Sequence, residues 1–303
     1  MVDPLSDAIA LLRPRAVFSK GISGAGRWGV RYSKFGEPSF AAVLEGSCRL
    51  AVDGHPPLTL EANDFVLLPA TPGFTMSGFE PVTPEHVDPS LVRGSTREVR
   101  HGRREGRPDV RLLGGYFALE SPDHSLLLSL LPAVIHVRGS VRLSALVELV
   151  GDEARERRAG RELVLERLVE ILLIEALRAA PGDAAPPGLL RGLADARVAP
   201  ALRGMHDKVA RTWTVALLAR TAGLSRSAFF ERFSRQVGIP PMEYLLGWRM
   251  ALAKQLLRER ELGLEQIAER VGYGSASNFS TAFSRHVGLP PSRYAREQRA
   301  RRS

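Results

Sequence analysis

A repeat near the carboxyl end constrains the fold of this chain more than any other feature. The nine residues Phe233–Pro241 recur as Phe283–Pro291 with two differences, at an offset of 50 residues. Upstream, Ala219 and Gly223 recur as Ala268 and Gly272 at an offset of 49, so the second copy has gained one residue. Self-similarity at this spacing indicates a duplicated supersecondary unit.

Each copy has the pattern of two helices joined by a glycine-containing turn. In the first copy, Thr214 and Ser225 are expected to cap the two helix N-termini, and Gly223 to end the first helix in a left-handed conformation. In the second copy, Ser275 replaces Ser225 and Gly272 replaces Gly223. The pattern predicts two helix-turn-helix motifs, at residues 213–236 and 263–286.

Residues 242–260, between the two copies, have the 3.6-residue apolar period of one helix. Nineteen residues at 1.5 Å each span about 28 Å. This length approaches the ~34 Å that separates successive major-groove faces on one side of B-DNA. Such a helix can hold two recognition helices in adjacent grooves. A helical bundle that binds no ligand is the alternative.

The positive charge of the chain is concentrated in the same region. Residues 197–303 contain 19 Lys and Arg against 8 Asp and Glu, a net of +11, whereas the remainder has 23 against 25, a net of −2. A concentrated positive charge suits a polyanion, because each neutralised phosphate releases counterions. A solubilising arginine-rich surface is the alternative.

The repeat and the helix between its copies resemble the DNA-binding domain of the AraC/XylS family of transcription regulators, over about Val198–Arg296. The resemblance implies that the helices beginning at Ser225 and Ser275 are the recognition helices. Its most specific matches are Trp248, Arg249 and Met250 in the linker helix, then Ile267, Ala268, Val271, Gly272, Tyr273, Phe279, Phe283, Gly288, Pro290 and Tyr294.

Helical geometry indicates which side chains of the first recognition helix face DNA. With Phe229 and Phe233 turned inward, the opposite face carries Arg226, Ser227, Phe230 and Glu231. Arg226 suits a guanine, Glu231 can accept a hydrogen bond from cytosine, and Phe230 can pack on a thymine methyl group. A solvated helix face is the alternative for each residue, and core packing is a further alternative for Phe230.

The second recognition helix presents smaller groups. With Phe279 and Phe283 inward, its opposite face carries Ala276, Ser277, Ser280 and Thr281. Hydroxyl and methyl groups discriminate poorly between bases, so we expect the first motif to contribute more sequence specificity. Arg235 and Arg285, near the ends of the two helices, are better placed for phosphates.

The amino-terminal part has a different pattern. Runs at residues 40–46, 47–54 and 64–69 are short, apolar or alternating, and are separated by Gly, Asp-Gly and Pro, which is typical of β-hairpins. The arrangement resembles a cupin barrel, with a Leu44-Glu45-Gly46 turn between two strands. Regulators of this family often carry such a domain as a sensor.

Several observations argue against a metal enzyme. Phe40 and Phe74 stand where enzymatic cupins often have histidines, and the seven histidines are scattered. His55 is expected beside a turn, and His86 and His101 in a polar loop. Cys48 is the only cysteine, which excludes an intrachain disulfide and a multi-cysteine zinc site. An apolar barrel pocket for an organic effector stays compatible with the sequence.

The segments that follow predict a loop, a strand and a helical connector. Residues 81–109 are charged and rich in Pro, Gly and Arg, which predicts a mobile loop, and residues 112–119 resume strand character. Residues 140–180 predict helices with a broad apolar face. The resemblance implies a dimerising connector there, and packing against the barrel of the same chain is the alternative. Residues 181–188 are expected to form a flexible linker.

We therefore expect an α+β multidomain protein with a cupin-like β-barrel at 1–137, a helical connector and linker at 138–196, and an all-α domain with two helix-turn-helix motifs at 197–303. The predicted function is a sequence-specific DNA-binding transcriptional regulator, an effector-responsive activator rather than an enzyme, without metal or cofactor. The expected partners are double-stranded promoter DNA, RNA polymerase, a small effector and a second copy of the chain, in the cytoplasm and away from membranes. A metal-dependent cupin enzyme fused to a DNA-binding module and an effector-independent architectural protein are the alternatives.

Overall fold

The computed structural model describes residues 3–12, 14–88, 98–119, 131–156, 158–179, 187–259 and 261–300. The chain divides into two compact units. The barrel unit comprises residues 12–122 and 131–181, and the helical unit comprises residues 1–11 and 182–303. Within the described ranges, none of the helices has the length and apolar character that crossing a membrane requires.

The barrel unit is built from β-strands followed by two helices. The strands are β1 (Pro14–Ala25), β2 (Gly29–Tyr32), β3 (Ser39–Val52), β4 (Leu58–Glu61), β5 (Phe65–Leu68), β6 (Phe74–Ser77), β7 (Glu85–Val87), β8 (Val99–Gly102), β9 (Val110–Leu119) and β10 (Ile135–Val137). The helices are α2 (Val141–Arg155) and α3 (Arg161–Ala179). The β-domain and the helical connector predicted from the sequence are both present.

Strand β3 organises the barrel because it belongs to two sheets. Its first half pairs with β5 and β9, and its second half pairs with β4 and β6. The register with β9 shifts between Val43 and Glu45, next to Gly46, whose φ is +75°. The predicted turn at Leu44-Glu45-Gly46 is therefore wrong, because these residues lie within one continuous strand, with Gly46 beside a bulge. Turns and bulges both need glycine at positive φ, so the sequence signal is the same.

The predicted loop at residues 81–109 is wrong for two segments. Strand β7 pairs in parallel with β2, and β8 pairs in parallel with β1. His86 and His101 therefore lie in strands, and the His101 ring stacks on Trp28 at 6.1 Å. Both strands are short and polar, so the alternating apolar pattern that reveals a strand is missing. Residues 89–97 lie outside the described residues, as do residues 181–186 of the predicted linker.

Helices α2 and α3 form the connector. Ser140 caps α2 by accepting a hydrogen bond from the amide of Leu143, and both helices contact β1. The face of α3 that contains Val169 and Leu172 is fully buried. Packing against the barrel, one of the two alternatives for this region, is therefore seen in the structure.

The helical unit contains both copies of the repeat. Its helices are α1 (Pro4–Leu12), α4 (Leu189–Ala194), α5 (Ala199–Asp207), α6 (Val215–Ala222), α7 (Arg226–Val237), α8 (Pro241–Glu259), α9 (Leu264–Arg270), α10 (Ala276–Val287) and α11 (Pro291–Ala300). Helix α8 is the predicted linker helix, within one residue at each end. Residues 3–11 and 187–196 group with this unit, whereas the sequence suggested placing them in the barrel and the connector.

Helix α1 contacts the core of the helical unit through a buried histidine. The His206 side chain is fully buried, and its Nδ1 lies 3.0 Å from Oδ2 of Asp7 in α1. Its Nε2 lies 2.8 Å from the hydroxyl of Tyr244, and its ring stacks on Trp248 at 4.0 Å. Burial, followed by the nearby Asp7 carboxylate, raises the pKa of Tyr244. The amino terminus of the chain thus adds a polar contact to the core next to the first motif.

Candidate DNA interface and effector cavity

The first motif has the predicted caps at each helix end. The hydroxyl of Thr214 accepts a hydrogen bond from the amide of Leu217 at 3.2 Å, and Gly223 ends α6 with φ +64°. The hydroxyl of Ser225 accepts from the amide of Ala228 at 3.3 Å, and this bond starts α7. These caps satisfy amides that a helix leaves without an internal partner, and they set the turn between α6 and α7.

One face of α7 is buried and the opposite face is exposed. Phe229 and Phe233 are fully buried, with ring centroids 5.6 Å apart. The five residues predicted to face DNA are all exposed: Arg226, Ser227, Phe230, Glu231 and Arg235. The Phe230 side chain is 44% exposed, so the core-packing alternative for this residue is wrong. The arrangement brings a cation, an anion and an aromatic ring together on one helix face.

The second motif repeats the same backbone. The hydroxyl of Ser275 accepts from the amide of Asn278 at 3.2 Å, and Gly272 in the turn has φ +82°. Phe279 and Phe283 are fully buried, with centroids 5.5 Å apart. The exposed face of α10 is less open than that of α7. Ser277, Thr281 and Arg285 are exposed, whereas Ala276 and Ser280 are half-buried.

Two hydrogen bonds further limit the polar groups that α10 can present to a partner. The hydroxyl of Thr281 donates to the carbonyl of Ser277 at 3.1 Å, so this donor is directed to its own helix. The carboxylate of Glu265 accepts from the amide of Ala276 at 3.1 Å and therefore places a negative charge at the N-terminus of α10. Neither contact was predicted from the sequence.

A buried carboxylate, which sequence reasoning missed, fastens α7. The Asp195 side chain accepts from the amides of Arg197 and Val198 at 2.9 and 3.1 Å, from Arg232 at 2.9 and 3.1 Å, and from Gln236 at 2.9 Å. Burial alone would raise the pKa of Asp195, but the two amides and the Arg232 guanidinium outweigh it, and the pKa lies below its usual value. Asp195 ends α4 and lies in the turn before α5, and an Asp that accepts from amides two and three residues further on is a turn signal that could have revealed the backbone contacts.

The barrel contains a half-open cavity of about 100 Å³ whose wall is almost wholly apolar. Phe40 and Phe74 line it, so the two positions compared with cupin metal ligands hold phenyl rings. Lys20 also lines the cavity and is 7% exposed. Burial lowers the pKa of Lys20, because a charged ammonium group is poorly solvated in apolar surroundings. The cavity thus combines an apolar wall with one basic side chain.

The one cysteine, Cys48, is placed for packing. The Cys48 thiol lies in the core of the barrel unit, where burial and the nearby Asp64 carboxylate raise its pKa to about 12. Such a thiol is a poor nucleophile at neutral pH. Within the described ranges, no group of three or more His, Cys, Asp or Glu side chains is arranged to hold a metal ion.

Comparison with family models gives two matches. Residues 3–180 match the model described as Cupin, and residues 218–297 match the model described as Helix-turn-helix domain. The first match includes the barrel and the connector helices. The second includes both recognition helices.

Comparison with known proteins gives relatives of nearly the same length. A putative AraC-like transcription regulator of Streptomyces lividans is 38% identical over 91% of this chain and 92% of the relative. A protein of the same description from Streptomyces antibioticus is 36% identical over 91% and 92%. Among solved structures, the DNA-binding domain of AdpA, a global transcriptional factor, in complex with a target DNA is 29% identical. The match covers 36% of this chain and 96% of the AdpA domain, with a TM-score of 0.34.

Proposed function

Because the chain belongs to the AraC-like transcription regulators, we propose that this DNA-binding regulator is an effector-responsive activator that reads promoter DNA with two unequal recognition helices. The observation that carries the proposal is the exposed face of α7, where Arg226, Phe230 and Glu231 lie together above a fully buried pair of phenylalanines. Exposed groups able to bond base edges, on a helix held by its core, are what major-groove readout requires.

In the proposed complex, α7 and α10 enter successive major grooves on one side of the duplex. Arg226 bonds a guanine, Glu231 accepts from a cytosine, and Phe230 packs on a thymine methyl group. Ser227, Ala276, Ser277, Ser280 and Thr281 line the same grooves with smaller groups. Arg235 and Arg285, both exposed, bind phosphates.

Selection from random duplex DNA, followed by footprinting, tests this proposal. The expected result is a protected site with two short boxes about one helical turn apart. Uniform protection of every duplex would support the architectural alternative instead. An alanine scan by gel shift then tests the faces: if Arg226→Ala and Glu231→Ala both leave the preferred site unchanged, the assignment of α7 is wrong.

We assign the effector to the barrel cavity. Its apolar wall suits a hydrocarbon group smaller than a benzene ring, since a cavity that holds benzene measures roughly 150 Å³ and this one is smaller. Lys20 in the cavity wall favours an acidic group on the same molecule, because opposite charges attract more strongly where water is largely excluded. The effector class is therefore a small apolar acid.

Thermal shift with butyrate and the uncharged 1-butanol tests the effector class. The acid is expected to raise the melting temperature of the barrel unit more than the alcohol does, and Lys20→Met should abolish the difference. Equal shifts from both compounds, or no change in the Lys20→Met variant, would remove the role assigned to Lys20.

The connector supports a proposed dimer. Leu163, Val164 and Ile171 of α3 are 58%, 42% and 43% exposed. At 3.6 residues per turn, all three lie on one side of the helix, within about 100° of arc. A second copy of the chain, with α3 against α3, would cover this stripe. Sedimentation should show a dimer that Leu163→Glu and Ile171→Glu dissociate. A dimer that both substitutions leave intact would assign the interface to another surface.

Activation, the contact with RNA polymerase and action in the cytoplasm are proposed on family membership. In vitro transcription from a promoter that carries the selected site should rise on addition of the protein and effector. A fall would make the protein a repressor. The proposal also holds that the barrel has no enzymatic activity, which the phenyl groups of Phe40 and Phe74 in its cavity support.

A further inference from the structure

Arg249, in the middle of α8, lies where the two helix-turn-helix motifs meet. Its Nε and Nη2 donate to the carbonyl of Val209 at 3.1 and 2.9 Å, and Nη2 also donates to the carbonyl of Arg211 at 2.8 Å. On its other side, the guanidinium carbon lies 6.0 Å from the ring centroid of Tyr273. One side chain therefore contacts the loop that precedes the first motif and the turn inside the second.

The loop on one side of Arg249 is tied to the first motif. Residues 209–211 lead within three residues to Thr214, the N-cap of α6. The indole of Trp213 donates to the carbonyl of Lys208 at 3.0 Å, and the guanidinium of Arg211 lies over the Trp213 ring at 4.8 Å. A shift of this loop would therefore be transmitted to the start of α6.

The turn on the other side is packed against the same group. Gly272 has φ +82°, and a Cβ built on it would lie 2.6 Å from Nη2 of Arg249 and 2.8 Å from the carbonyl oxygen of Ala210. Only glycine allows the turn of the second motif to come this close to the loop of the first. We define the junction as Arg249, residues 209–211 and Gly272.

The geometry of the junction explains why a charged group can be half-buried there. Burial lowers the pKa of Arg249, so removing the guanidinium from water has a cost. Three hydrogen bonds to carbonyl groups and the Tyr273 ring compensate that cost. Nη2 alone reaches both carbonyls, and the planar guanidinium places Nε as a second donor to Val209. Lysine has the charge but not this fixed arrangement of two donors.

From these contacts we propose that Arg249 is a positioning residue that sets the separation and rotation of α7 relative to α10, so that the protein binds two DNA boxes at one spacing. The inference rests on the proposed two-box binding. Helix α8 sets the distance along its own axis, whereas the junction restrains how each motif is rotated about that axis. One base pair of added spacing shifts a box by about 3.4 Å and rotates it by roughly 35°, so rotation matters as much as distance.

Binding of the full chain to a set of duplexes tests the inference. The set holds the selected two-box site, the same site with one or two base pairs inserted or removed between the boxes, and a site with the second box scrambled. Wild type should bind the selected spacing best and lose affinity steeply at every other spacing. Relative to wild type, Arg249→Ala should bind the selected spacing about tenfold more weakly, because a looser junction lowers the effective concentration of the second motif. On the sites with inserted or removed base pairs, its affinity should differ much less from that of wild type.

Three variants make the result specific. Gly272→Ala opens the junction from the side of the second motif and leaves α8 unaltered. It should broaden the spacing preference as Arg249→Ala does. If Arg249→Ala does not fold, Gly272→Ala alone tests the positioning role. Arg249→Lys should fall between wild type and Arg249→Ala. Arg203→Ala removes one exposed charge from the same unit, and should weaken all duplexes equally.

The outcomes separate the two proposals. If wild type binds the two-box and scrambled sites equally, two-box recognition itself fails. Suppose that wild type prefers one spacing, and that the folded Arg249→Ala and Gly272→Ala variants show an equally sharp preference. In that case the positioning role of Arg249 is wrong, and α8 alone sets the spacing.

Discussion

The two helix-turn-helix motifs share a core and a set of caps but differ in what they expose and in what fastens them. At corresponding positions, Phe229 and Phe279 are both fully buried. On the exposed face, however, Arg226 corresponds to Ala276 and Glu231 to Thr281. The two copies have therefore kept the residues that build the fold and differ at several of the exposed positions proposed to contact DNA. The buried core and the face proposed to read DNA can vary separately, because they occupy opposite faces of one helix.

The largest effects should show that the two cores are equivalent. Phe229→Ala and Phe279→Ala each remove a fully buried ring, and each should lower the free energy of unfolding of its own motif by about 3–5 kcal/mol. Hydrogen exchange with mass spectrometry, read separately over α7 and α10, measures the two losses. A loss several times larger in one motif would show that the cores are not equivalent.

The next difference is the attachment of α7. Asp195 accepts hydrogen bonds from Arg232 and Gln236, whose counterparts in the second motif are Ala282 and His286. Asp195→Asn presents an amide group to side chains and amides that are all donors, and should destabilise the first motif by about 1–3 kcal/mol. The second motif should be unaffected. Asp207→Asn, at an exposed position of α5, is the control for loss of charge.

The same carboxylate gives a pH dependence. Because the pKa of Asp195 is lowered in the folded protein, its contribution to stability is complete above the ordinary carboxyl pKa. The contribution is lost as the pH falls from about 4 through the lowered folded value. Acid unfolding of α7 in wild type and Asp195→Asn should converge over this window. A constant difference between them down to the lowest pH would contradict the linkage.

Sequence reasoning predicted the repeat well because its signals are local. Thr214, Ser225 and Ser275 cap helices through amides three residues away, and a cap needs no knowledge of the rest of the fold. The Asp195 attachment and the junction at Arg249 join residues about 40 positions apart. No pattern within one helix encodes such contacts.

In the barrel, too, local sequence patterns did not predict features that depend on distant residues. The buried strand β5 was predicted from its apolar run, whereas β7 and β8 are polar strands that only their pairing partners define. Gly46 was recognised as a special position, but whether positive φ serves a turn or a bulge depends on the neighbouring strand. The cavity and its Lys20 arise from strands brought together by the sheet, so only the fold could reveal them.

The proposed difference in DNA reading between the two motifs rests on their exposed faces. Arg226→Ala makes the first motif like the second at this position, and should cost about 1–3 kcal/mol at the preferred site, with relaxed selection at one base pair. Thr281→Ala should change affinity less than about threefold, since its hydroxyl already donates to the carbonyl of Ser277. Gel shift on the selected site and on single-base variants of it measures both. Equal losses would end the claim that the first motif is the stronger reader.

The smallest expected effect concerns the charge at the start of each recognition helix. Glu265 places a carboxylate at the N-terminus of α10, whereas its counterpart before α7 is the exposed Ala216. A helix N-terminus attracts phosphate, and a carboxylate already bound there competes with it. Glu265→Gln keeps an oxygen that can accept from the amide of Ala276 but removes the charge.

DNA affinity of Glu265→Gln should therefore rise about two- to fivefold at low salt, the range expected for one charge at a helix end. Ala216→Glu should lower affinity by a similar factor, because it gives the first motif the carboxylate of the second. Both changes should shrink as salt screens the charges. Titration at two salt concentrations measures this. If neither variant departs from wild type at low salt, the helix N-termini lie away from the phosphates, and the difference between the motifs comes from their exposed side chains alone.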